Sequence, residues 1–135
     1  MSFGKSRAAA APAMAMQSAM RPSPAGLTES DRELITALGA YHLRYGRTDE
    51  ALALLQLVNR LWPHDGTALR LLSQAFLAIG DHASAEMTDR AYQRRNPVSS
   101  RADMLRRAAI WLGLGQINKA YSSLMSAIAT MRARS

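Results

Sequence analysis

Histidine stands at positions 42, 64 and 82 only, and the chain contains no cysteine. None of the three histidines belongs to a cluster of metal-ligand residues, so metal chemistry has no ligand set to work with. Serine, histidine and aspartate all occur, but no G-x-S-x-G elbow or comparable nucleophile motif orders them. Gly113-Leu114-Gly115 is too short for a phosphate-cradling loop. The lack of cysteine removes disulfides and thiolate nucleophiles together and fits a reducing compartment. The sequence therefore predicts a protein that is not an enzyme and uses no metal and no cofactor.

One charged set invites a binding role. Arg90, Arg94, Arg95, Arg101, Arg106 and Arg107 share the stretch to the C-terminus with a single acid, Asp103. Such a set can be a basic surface for nucleic acid or for an acidic protein segment. It can also be a solvated surface that Asp89 and Asp103 partly neutralise. No aromatic series interleaves with the arginines to stack bases, so the second reading is the expectation and a nucleic-acid-binding module the alternative. The whole chain carries 17 Lys+Arg against 10 Asp+Glu, but Lys5, Arg7 and Arg21 all precede the first acid, Glu29.

Two segments of different character carry these residues. Residues 1–26 hold Pro12, Pro22 and Pro24 and little besides Ala, Ser and Met. Such a segment buries too little apolar surface to offset its ordering entropy, and a disordered tail is predicted. Lys5 and Arg7 before the Ala-rich residues 8–16 imitate a secretory signal or an acid-free transit peptide. Pro12, and the lack of Leu, Ile, Val and Phe there, weaken that reading. No apolar run reaches the length of a membrane helix.

From Thr28 onward the pattern is helical. Thr28 with Asp31 three positions on marks a helix start. Apolar residues then recur at spacings of three and four, and only Pro63 and Pro97 interrupt the chain. The pairs Gly46/Ala51, Gly80/Ala85 and Gly115/Ala120 follow one another at 34 and 35 residues, and the two prolines are 34 apart. That period, with helix-turn-helix content, is the tetratricopeptide (TPR) one. In the same register the small residue of each first helix is Gly39, Ser73 or Ala108, and the bulky one is His42, Phe76 or Trp111. The small residues let paired helices approach, the glycines end a helix in the left-handed conformation, and the prolines prevent its continuation. Thr48, Asp65, Asp81 and Ser100 stand where helix caps are wanted.

The predicted architecture is all-α: a right-handed superhelix of three TPR-like helical hairpins over residues 27–135, behind the tail of residues 1–26. The third repeat is the least regular, with no closing proline and with Arg107 where a leucine is usual. First helices line the concave face of such a stack. The register puts Ala40, Leu43, Arg44, Arg70, Gln74, Leu77, Leu105, Ala109 and Leu112 there as a partner-binding groove. Leu43, Leu77 and Leu112 would form a ladder for an apolar segment, with Arg44 and Arg70 fixing its acidic groups. The Lys and Asn pattern with which some repeat proteins clamp a chaperone's C-terminal carboxylate is absent.

The segment LTESDRELITALGAYHLRYGRTDEALALLQLVNRLWP, residues 27–63, resembles the small TPR chaperones of bacterial type III secretion, the YscY type first and the YscG type more distantly. The likeness extends over residues 27–129 and rests mainly on repeat positions. It implies a cytoplasmic bacterial chaperone that forms a hetero-oligomer with a small secreted subunit, keeps it unassembled and hands it to the export gate. A structural subunit of a larger assembly is the remaining alternative.

Overall fold

A computed structural model describes residues 26–133. The expected tail lies outside the described residues except for Gly26. The described residues form helices α1 (Glu29–Arg44), α2 (Thr48–Leu61), α3 (Gly66–Ala78), α4 (His82–Arg95), α5 (Arg101–Gly113) and α6 (Ile117–Ala133), and no strand occurs among them. The architecture is all-α.

Caps and turns fix these boundaries locally. Thr28 accepts a hydrogen bond from the Asp31 backbone N–H at 3.2 Å while Asp31 accepts from the Thr28 N–H at 2.8 Å. Ser100 and Asp103 repeat this reciprocal box at the start of α5, at 3.1 and 3.0 Å. Asp65 and Asp81 cap α3 and α4. Thr48 does not cap α2: it is the first helical residue, and the cap position falls to Arg47, whose guanidinium instead pairs with Glu50 at 3.0 Å. His82 is likewise the first helical residue of α4.

The turns within the pairs are copies of one another. Gly46, Gly80 and Gly115 have φ of 80°, 81° and 77°. Their N–H groups donate to the carbonyls of Leu43, Leu77 and Leu112, and the next N–H reaches back to His42, Phe76 and Trp111. This closure satisfies carbonyls that a helix end would leave bare.

Packing follows chain order. The most extensive contacts join α1 to α2, α3 to α4 and α5 to α6, with lesser seams between α2 and α3 and between α4 and α5. The first helices α1, α3 and α5 also touch in series. Gly39 is required where α1 meets α2, because a Cβ there would sit 2.8 Å from Leu55 Cγ. Ser73 fills the equivalent place in the second pair, fully buried, its hydroxyl donating to the Ala85 carbonyl at 2.9 Å. The apolar core is Ala51, Leu55, Leu71 and Leu72, with Ala40, Leu43, Leu52 and Phe76 packed against it. Each buried leucine there contributes about 1.5–3 kcal/mol.

Candidate functional site

Two hollows open beside the first helices. One, of about 560 Å³, lies between α1 and α3 and is lined by Arg32, Thr36, Ala40, His64 and Arg70 among others. The other, of about 600 Å³, lies between α3, the end of α4 and the start of α5, with Arg70, Gln74, Leu77, Asn96, Val98 and Arg106 in its walls. Arg70 lines both hollows and forms no ion pair among the described residues. Arg32 is different: it pairs with Glu29 and with Asp65, tying α1 to the cap of α3.

The nine residues expected in the groove are therefore not equivalent. Ala40, Arg70, Gln74 and Leu77 line a hollow. Leu43 packs half-buried against the core of Ala51, Leu55, Leu71 and Leu72. Arg44 is exposed and lies over the Tyr45 ring at 5.9 Å. Leu105, Ala109 and Leu112 are exposed along α5, outside both hollows.

The far wall of the second hollow is an ion cluster. Asp89, in α4, is 2% exposed. It accepts from Arg106 Nη2 at 2.8 Å, from Arg107 Nε at 2.6 Å and from Gln93 Nε2 at 2.8 Å. Arg106 also pairs with Asp103 at 3.1 Å and stacks over the Tyr92 ring at 5.4 Å. Arg107 donates to Ser99 at 2.7 Å. The Arg106 Nε is buried and has no hydrogen-bond partner among the described residues. Burial pushes the Asp89 carboxyl up, but the hydrogen bonds and charges of Arg107 and Arg106 outweigh it and hold the group below the usual carboxylate range. Burial acts the same way on Asp103 and is overcome by the Ser100 backbone N–H and Arg106. The Tyr92 hydroxyl is raised by burial and by the neighbouring Asp103.

This cluster splits the arginine set. Arg106 and Arg107 are consumed in buried pairs, Arg90 pairs with Glu86 at 2.6 Å, and Arg95 meets His64. Arg94 and Arg101 remain as exposed, unpaired cations among the described residues. Sequence reasoning placed Asp89 near the arginines and noted Arg107 at a leucine position, but missed that both are interior. The signal was available: Asp89 stands 34 residues after the buried Leu55, and Arg106 and Arg107 stand 35 after Leu71 and Leu72.

Among the described residues no helix is long and apolar enough to cross a membrane, and no group of His, Asp and Glu is arranged to hold a metal ion. No protein-family model and no curated protein matches the chain.

Proposed function

We propose that this chain is a non-enzymatic TPR-type chaperone or adaptor of the type III secretion kind, a right-handed superhelix of three hairpins with α1, α3 and α5 on its inner side. It takes an amphipathic helix of a small secreted subunit along those helices and keeps the subunit unassembled in the bacterial cytoplasm until export. The observation that supports this most is the pair of hollows sharing Arg70, a half-buried cation without an ion-pair partner among the described residues, with Leu77 beside it and Leu105 and Leu112 exposed on the next first helix. An apolar helix face would cover the leucines, and an acidic residue on the same helix would find Arg70. Affinity would rest on those few anchors. The series contact among α1, α3 and α5, with none among α2, α4 and α6, agrees with curvature toward the first helices.

The test is co-expression with the small secreted type III subunits encoded near the gene. A soluble stoichiometric complex is expected with the wild type. Leu77→Asp and Arg70→Glu should each abolish it while the helical circular dichroism spectrum persists. If no such subunit is retained, or both variants retain it normally, the reading is wrong. Leu43→Asp is a poor probe, because Leu43 packs on the core and its loss would report on folding.

A further inference from the structure

Both ends of the stack are apolar. On α1 and its C-terminal cap, Leu34, Leu38, Tyr41 and Tyr45 recur at spacings of four, three and four and are 60%, 42%, 57% and 62% exposed. They occupy the face opposite the buried Thr36 and Gly39. On α6, Ile117, Tyr121, Leu124 and Met131 make a similar stripe, 60%, 64%, 41% and 47% exposed. A repeat stack that ends in water needs polar outer faces. These ends have the opposite composition.

The repeat register identifies what the two faces are. Thirty-four residues after Leu34, Leu38 and Tyr41 stand Ala68, Leu72 and Ala75 of α3, all buried. Leu72 shares one core cluster with Ala51 and Leu55 of α2. On the other side of that seam, Leu52 and Leu55 correspond, 69 residues on, to Tyr121 and Leu124 of α6. Leu55 is fully buried where Leu124 is open. The α1 stripe is thus the α3 half of the α2–α3 seam, uncovered among the described residues. The α6 stripe, at Tyr121 and Leu124, is the α2 half, likewise uncovered among the described residues.

Charge fits the same pairing. α6 carries Lys119 and Arg132 and no acid, whereas α1 opens with Glu29, Asp31 and Glu33 around a single Arg32. Seated antiparallel, as α2 and α3 are, α6 of one copy brings Arg132 to the acidic first turns of α1 in the next. Glu33 and Arg132 are exposed and have no ion-pair partner within their own chain among the described residues.

We infer that copies of this chain associate head to tail, the α6 face of one covering the α1 face of the next. The contact is heterologous, so each added copy leaves one free face of each kind and association is open-ended. Of the residues it uses only Glu33 lines a hollow, the one between α1 and α3, and the leucines and tyrosines of the two faces lie outside both, so it stands or falls separately from the chaperone reading.

Sedimentation of the full chain over a concentration series tests this. The weight-average mass of the wild type is expected to climb past twice the 14.7 kDa of one chain. Leu124→Glu closes the α6 face and Leu38→Glu the α1 face, so each variant alone should stay monomeric. Mixed, they retain one intact face of each kind and should give a one-to-one dimer that grows no further. Tyr121→Glu and Leu34→Glu repeat the experiment if either first variant loses its helical spectrum. A wild type monomeric throughout, a mixture that stays monomeric, or a single variant that still dimerises by symmetric self-contact each overturns the inference.

Discussion

At the α2–α3 seam the repeat positions that face one another hold Ala51, Leu55, Leu71 and Leu72. At the α4–α5 seam the equivalent positions hold Ala85, Asp89, Arg106 and Arg107. One place in the repeat is thus built once from leucines and once from a buried carboxylate between two guanidinium groups. The alanine is common to both; in the second pair its carbonyl accepts from Ser73, the small residue of the first helix, and neither chemistry alters that contact. The difference teaches how order is specified in a stack of similar units. An apolar seam accepts any apolar face of the right shape. The ionic seam accepts only its own partner, since α4 against an apolar face would bury Asp89 unpaired, at a cost far above that of a lost apolar contact. The third helix pair is thereby held in its place by charge, while the outer faces of α1 and α6 keep the apolar chemistry of the first seam.

The strongest way to break the comparison is to remove the carboxylate alone. Asp89→Leu leaves Arg107 without its acid and Arg106 with only Asp103, in a seam where the side chains of Arg106 and Arg107 are 8% and 13% exposed. The expected loss is about 3–5 kcal/mol by denaturant unfolding. That is comparable with the whole stability of a marginal domain. A loss below about 1 kcal/mol would mean that the ion cluster does not hold the seam together.

The helices, their turns and their caps at Asp65, Asp81 and Ser100 were legible because each depends on local backbone chemistry: a glycine at positive φ, a proline that cannot continue, an oxygen that meets a bare N–H. Thr48 misled, since a good capping residue one position late is simply the first residue of the helix. Two features escape a reading taken one residue at a time. Leu43, Leu77 and Leu112 are equivalent in sequence, yet Leu43 packs against the core, Leu77 lines a hollow and Leu112 is 60% exposed, because the neighbours of each repeat differ. Asp89, Arg106 and Arg107 looked like surface because they are charged one by one. Their burial follows only from their being charged together, at positions that are apolar in the preceding repeat.

Converting the second seam into the first is the next test. The triple variant Asp89→Leu, Arg106→Leu, Arg107→Leu rebuilds the Leu55–Leu71–Leu72 arrangement between α4 and α5. Replacing a buried ionic triad by packed apolar side chains is neutral or stabilising by about 1–4 kcal/mol. The gain should sit at the low end here, because Asp103 and Ser99 lose the hydrogen bonds they now receive from Arg106 and Arg107. Denaturant midpoints of the wild type, Asp89→Leu and the triple variant decide the matter. A triple variant as unstable as Asp89→Leu would show that the two seams are not interchangeable in shape.

Acid distinguishes the seams most gently. The Asp89 and Asp103 carboxyls both titrate below their ordinary value in the folded chain. Their stabilisation is therefore present in full above the unfolded-state pKa, about 4, and is lost as pH falls through the lower folded-state values. The groups facing Asp89 are Arg106, Arg107 and Gln93, none of which changes charge in that range, so the carboxylates set the transition. Ala51, Leu55, Leu71 and Leu72 carry nothing that titrates. The two tryptophans report on the two regions separately: Trp62 ends α2, and Trp111 lies in α5 beneath Lys119, whose ammonium is 4.5 Å from its ring. With Trp62→Phe the fluorescence of Trp111 is expected to change at a higher pH than that of Trp62 in the Trp111→Phe protein. Coincident acid midpoints would mean that the α4–α5 seam does not open before the rest of the stack.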